Sequence, residues 1–159
     1  MVRRALLLAG GSLAGLVALR AGAARAGTDR PALRVWRDPN CGCCGAWVAH
    51  MRAEGFQVED SVVPSVAPMR RALGIPADLP SCHAGLVDGI ALEGHVPAAA
   101  VKRVLADRPA GVRGLAVPGM PIGSPGMEVP GQPDEAFDVI AFGDGPHRPY
   151  MRFVGGRPD

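Results

Sequence analysis

An α/β fold, built on a mixed four-stranded sheet flanked by helices, follows from three features of this sequence. Short apolar runs with strand-like alternation take turns with segments of helical spacing. Asp88-Gly89 joins two apolar runs as a two-residue hairpin turn does. The 22 Gly and 16 Pro among 159 residues interrupt long helices, which excludes a helical bundle.

The elements read in order as follows. Residues 33–37 (LRVWR) alternate apolar and charged, a strand. Asp38-Pro39-Asn40-Cys41-Gly42 is a turn. A helix over 43–54 then carries Ala46, Trp47, Val48 and Met51 on one side and stops at Gly55. Residues 56–63 (FQVEDSVV) form a second strand, and 66–73 a short helix ended by Gly74. A proline-bounded loop over 75–80 leads into the hairpin of 82–87 and 90–94. Residues 97–106 form a helix, with Pro97 near its first turn and Pro109 past its end. The resulting order, βαβαββα, is that of a thioredoxin-like core, in which Pro80 is a candidate cis proline. Residues 111–133 then read as a Gly/Pro/Met-rich loop, too long for a passive connector. Residues 137–142 and 150–154 close the chain as a β-hairpin around 143–149. The sequence holds no internal repeat.

The net charge of +2 pools two unlike segments. Residues 1–26 contain Arg3, Arg4, Arg20 and Arg25 and no acid, so the rest of the chain has more acids than bases. The charged start, the apolar stretch 5–17 and the small-x-small site Ala24-Arg25-Ala26 have the pattern of a signal peptide. Arg3-Arg4 also fits a twin-arginine leader, and the Sec route stays open beside it. Arg20 and the glycines leave the apolar run short of the roughly 20 residues a membrane span needs. The expectation is an exported, periplasmic protein with one domain over 27–159 and no stable span once the leader is cleaved. Its near-neutral charge and few aromatics (four Phe, two Trp, one Tyr) argue against a nucleic-acid partner.

Four cysteines in an oxidising compartment ordinarily mean two structural disulfides. Cys41, Cys43, Cys44 and Cys82 resist that reading, because three of them crowd into four residues and allow one comfortable local bridge, Cys41–Cys44. Cys41-Gly42-Cys43-Cys44 sits where the first strand hands over to a helix, whose N–H groups and dipole favour thiolate. The CxxC of Cys41 and Cys44 has the spacing of a thiol–disulfide oxidoreductase. Cys43 would compete in such dithiol chemistry, whereas to a thiophilic metal it offers a third sulfur. In the thioredoxin-like arrangement Leu79-Pro80-Ser81-Cys82-His83 faces that turn and brings Cys82 and His83 to it. Thiolates with an imidazole suit Cu(I) or Zn(II) and not Mg or Ca, and export favours copper.

The remaining histidines carry less weight. His50 reads as a surface residue of the first helix, His95 as the end of the hairpin with direct ligation as the lesser alternative, and His147 as part of a polar turn. Met120 and Met127 lie in repeated Pro-Gly-Met units. Their thioethers are soft donors for Cu(I), and as apolar filler they would seat the loop as a lid over the sulfurs.

Asp38-Pro39-Asn40-Cys41-Gly42-Cys43-Cys44, Ser81-Cys82-His83, Glu93-Gly94-His95-Val96-Pro97 and the stretch GLAVPGMPIGSPGM over 114–127 together resemble the CopG-type family of small exported bacterial proteins. The resemblance spans about residues 33–143. It implies a thioredoxin-like fold, a role in copper resistance, and copper held by cysteine, with a multinuclear cluster and Cu(I)/Cu(II) redox activity as further implications. Cys41, Cys43, Cys44 and Cys82 match the family cysteines, His83 follows the last of them, and Met120 and Met127 match the methionine loop. Copper ions and other periplasmic copper-handling proteins are the partners it implies. The rivals are the dithiol enzyme using Cys41 and Cys44, a carrier without turnover, and a structural zinc module.

Overall fold

A computed structural model describes residues 30–159. The leader expected over 1–26 lies outside the described residues. Eight strands and three helices follow one another as β1 (Ala32–Arg37), α1 (Gly42–Ala53), β2 (Gln57–Val62), α2 (Ala67–Ala72), β3 (His83–Val87), β4 (Ile90–Glu93), α3 (Ala98–Asp107), β5 (Val112–Ala116), β6 (Ala136–Gly143), β7 (Gly145–Val154) and β8 (Arg157–Pro158). The βαβαββα order stands, with every predicted boundary in it within one or two residues. No described helix is long and apolar enough to cross a membrane.

The four-stranded expectation needs correction. One mixed sheet of eight strands runs β2-β1-β3-β4-β5-β6-β7-β8. β1 pairs parallel to β2 and antiparallel to β3, β3 and β4 form the hairpin, and β4 pairs parallel to β5. The sheet then continues antiparallel through β6, β7 and β8. The first part of the expected 111–133 loop is therefore strand β5. Gly114 and Arg113 weaken its local strand signal, and its order comes from distant neighbours on both sides. The closing hairpin is longer than expected, with Asp144 as the turn between β6 and β7. Every peptide bond among the described residues is trans, so Pro80 is not a cis proline.

Alternation along the strands divides the core in two. Leu33, Val35, Leu92, Leu115 and Val139 face a large cluster with Trp47, Val48 and Met51 of α1 and Val101 and Val104 of α3. Ala84, Ala91, Ala116 and Phe142 face a smaller cluster closed by Val66, Ile75 and Leu79 from α2 and its flanking loops. Small residues make that second layer shallow. Asp88 and Gly89, at φ 45° and 80°, supply the two left-handed residues the β3–β4 turn requires.

Gly114 is where the sheet tolerates no side chain. A Cβ there would lie 2.2 Å from Phe142 Cζ and 2.5 Å from the Ala91 carbonyl oxygen. Gly114→Ala must push a ring or a paired strand aside, and should cost about 1–3 kcal/mol. In thermal unfolding the variant should melt several degrees below the parent; an unchanged midpoint would show that Phe142 has another place to go.

Candidate metal centre

The site begins at the end of β1. The Asp38 carboxylate accepts a hydrogen bond from the Asn40 N–H at 2.8 Å, and the Asp38 carbonyl accepts one from the Cys41 N–H at 3.2 Å. That turn delivers Cys41 as the residue capping α1, with extended backbone and no side-chain cap. The free N–H groups and positive dipole end of α1 thus point toward its own cysteines. Cys44 faces inward and is fully buried, while Cys43 and Cys82 are half-buried.

Cys41 and Cys44 are joined by a disulfide, while Cys43 and Cys82 are free thiols. The expectation of four thiolates is thus changed at two positions, which must be reduced before they can ligate. Cys43 Sγ lies 3.3 Å from Cys41 Sγ, and the Cys44 sulfur lies 3.8 Å from the Cys82 carbonyl. All four sulfurs lie within 4.8 Å of one another. The expected meeting of Cys82 with the CxCC turn is present.

Two imidazoles complete the cluster. His83 is fully buried, its Nδ1 3.3 Å from Cys82 Sγ and its ring centroid 4.4 Å from that of Trp47. His83 Nε2 is buried without a hydrogen-bond partner. His95, read from sequence as a hairpin end, is also fully buried and belongs to the site. Its Nδ1 donates to the Pro125 carbonyl at 2.8 Å, and a carbonyl can only accept. In the neutral ring Nε2 therefore carries a lone pair, 3.0 Å from Cys82 Sγ. Burial pushes both histidines below their ordinary pKa, His83 strongly, and so keeps them neutral and able to ligate. Burial, with Cys43 beside it, pushes the Cys82 thiol up to about 12. Binding a cation there would expel its proton. Cys82, His83 and His95 form a second donor set sharing Cys82 with the first. Sulfur and imidazole without a carboxylate fit a soft ion such as Cu(I), with His83 Nδ1 and His95 Nε2 as the nitrogens facing Cys82.

The other candidates fall where their surroundings put them. His50 is not a free surface group, since its Nε2 accepts the Ala98 N–H at 3.3 Å and joins α1 to α3. His147 stands apart, 3.3 Å from Asp78. The loop after β5 does lie against the sulfur turn. Gly126, at φ +87°, sits so close that a Cβ would lie 2.7 Å from the Trp47 nitrogen and 2.8 Å from the Cys43 carbonyl oxygen. Met127 beside it is half-buried. At the other end, the Gly119 N–H donates to the Pro80 carbonyl at 3.0 Å, and the Ser81 hydroxyl donates to the Gly119 carbonyl at 2.6 Å. Met120 follows, 52% exposed.

Residues 79–127 match a family model described as a protein of unknown function, DUF411. That stretch carries Cys82, His83, His95 and both methionines. No curated protein sequence matches the chain. Two solved structures, forms 1 and 2 of the copper resistance protein CopG, are each 40% identical with a TM-score of 0.73. Form 2 aligns over 79% of this chain and 99% of its own, and form 1 over 80% and 100%.

The Gly126 contact tests whether the loop covers the sulfurs. Gly126→Ala should lift the loop from α1, break the Pro125–His95 bond and cost about 1–3 kcal/mol. In a Cys43→Ser background, alkylation of Cys82 in the metal-free protein should become several-fold faster. An unchanged rate would mean the loop does not shield it.

Proposed function

The chain belongs to the CopG-type copper-resistance family, and from that premise we propose that it is a periplasmic protein that binds Cu(I) through clustered cysteine sulfurs. One observation carries the reading. Free thiols at Cys43 and Cys82 and a lone-pair nitrogen of His95 converge, half-buried or buried, beside the Cys41–Cys44 pair. Soft donors in that number match the softest common biological cation. The β2-β1-β3-β4 part of the sheet, with α1 and α3 on one face and α2 on the other, supports reading residues 32–107 as a thioredoxin-like core.

In this reading Cys43, Cys82 and His95 ligate, with His83 a ligand or a hydrogen-bonding neighbour of Cys82. Reduction of the disulfide by an external dithiol adds Cys41 and Cys44. Four sulfurs within 4.8 Å suit bridging thiolates and so a multinuclear copper site. The reduced Cys41 and Cys44 pair would then supply redox activity toward copper as substrate. Two Cu(II) ions each accept one electron from the Cys41 and Cys44 thiolates, which form the S–S bond, and the external dithiol resets it. Met127 helps seat the loop over the centre. Met120, exposed one residue beyond the bonds that hold Gly119, offers the first soft donor to copper arriving from another copper-handling protein.

The Cys41–Cys44 disulfide favours a second reading, general thiol–disulfide exchange. Native mass spectrometry of the reduced, leaderless protein titrated anaerobically with Cu(I) separates the two. More than one copper per chain is expected, and Cys43→Ser should bind copper at least about tenfold more weakly. No bound copper together with rapid insulin reduction, retained in Cys43→Ser, would overturn the copper reading. Met120→Ala should slow Cu(I) uptake from a chelated donor in stopped flow while leaving the final stoichiometry unchanged. Unaltered uptake would remove Met120 from the entry path.

A further inference from the structure

Glu93, the last residue of β4, is a fully buried carboxylate with no place in the donor clusters. Arg70 of α2 donates through Nε to both of its oxygens at 2.9 Å, and Arg70 Nη2 lies 2.8 Å from Oε1. The Ser81 N–H donates to the same Oε1 at 2.7 Å. Arg70 Nη2 also donates to the Ser81 carbonyl. Both backbone groups of Ser81 are therefore held by one ion pair.

Strand pairing does not need a carboxylate here. Opposite Glu93 stand Ala84 on β3 and Ala116 on β5, and the face around them is the shallow alanine-rich layer. Burying the Glu93 charge among such residues, even with part-exposed Arg70 as partner, is unfavourable unless its bonds are complete, and an apolar residue of similar volume often serves stability as well. What the pair does is local. Ser81 directly precedes Cys82, and Glu93 is two residues before His95. Between them Gly94, at φ +72°, meets Ser81 so closely that a Cβ would lie 2.3 Å from the Ser81 hydroxyl oxygen. The clamp thus fixes, from outside the cluster, the two chain segments whose side chains meet at the 3.0 Å contact of Cys82 Sγ and His95 Nε2.

We propose that Arg70 and Glu93 are a positioning pair for the metal centre, setting the Cys82–His95 geometry without touching the ion. The inference rests on the copper reading above. It gives Arg70, on a helix that supplies no ligand, a role in metal affinity and in the ligand field.

The test compares the whole leaderless protein with Glu93→Gln, Arg70→Lys and the double variant Arg70→Gln/Glu93→Gln. Cu(I) affinity is read by competition with a chromogenic chelator, and site geometry by the d–d absorption bands of bound Co(II). Thermal unfolding of the metal-free protein reports the fold. Glu93→Gln should weaken Cu(I) about 10–100-fold and shift the Co(II) bands. The double variant, which leaves no unpaired charge, should regain thermal stability but not affinity or the parent bands. Affinity that returns together with stability in the double variant would reduce the pair to a fold-stabilising one and overturn the proposal. So would parent-like affinity and bands in Glu93→Gln. If Glu93→Gln does not fold, Arg70→Lys carries the comparison, keeping the charge but losing the fork that holds the Ser81 carbonyl. Failure of the parent itself to bind Cu(I) would instead sink the copper reading.

Discussion

The antiparallel register that sets Arg37 opposite His83 is the constraint on which the site depends. β1 leaves the sheet at the same end at which β3 enters it, so the turn into α1 and the approach to β3 must meet there. Cys41, Cys43 and Cys44 occupy the first of these segments and Cys82 the second. A register slip of one residue would turn His83 and Ala84 to opposite faces and destroy both the core contact with Trp47 and the cluster. The strand pairing that builds the central sheet therefore also assembles sulfurs separated by almost forty residues of chain. No separate folding event is needed for the centre.

The same end of the sheet concentrates groups that an apolar core would avoid. His83 Nε2 has no partner, Cys82 cannot readily ionise, and Glu93 is buried at full depth. An unsatisfied buried polar group costs about 1–3 kcal/mol. A fold optimised only for stability would carry Leu or Val at such places. Three such groups meet in one patch with soft donors and an ion pair, a local inconsistency of the kind functional sites carry, while the Tyr150 hydroxyl is unpartnered elsewhere, on β7. The large cluster under α1 and α3, by contrast, is almost wholly apolar and carries the stability that the patch does not.

Much of the architecture was legible because its signals are local. Gly55, Gly74 and Asp88-Gly89 punctuate the βαβαββα segment, and its apolar residues keep their periods. The CxCC turn and the Cys82 loop were legible from the crowding of sulfur and from that topology. β5 was not, because Gly114 and Arg113 argue against a strand and its order comes from β4 and β6 on either side. The burial of His95 against Cys82 was not legible, because its Gly-His-Val-Pro setting looks like a simple end to a hairpin. Its tautomer depends on Pro125, thirty residues away, whose carbonyl accepts from Nδ1. Arg70 and Glu93 lie 23 residues apart, and no sequence spacing pairs them. The oxidised Cys41–Cys44 pair was foreseeable as the one comfortable local bridge, though not that it would stand formed beside two free thiols.

The strands beyond the expected four explain how a Gly/Pro-rich segment can be held against the sulfur turn. A loop of that composition has no regular structure of its own, and as a free tail it would keep most of its conformational entropy. Here β5 anchors its start between β4 and β6, and β6 anchors its end. Once both ends are held, lengthening the loop adds little to the cost of closing it. The remaining freedom is removed at two places, by Gly119 at the Cys82 loop and by Pro125-Gly126 at His95 and α1. Each anchor touches a different wall of the cluster, so the loop can hold both walls in register only while the sheet extension holds the loop. β5 through β8 are thus tied to the centre through the loop, although none of them contributes a donor to the clusters of sulfur and imidazole.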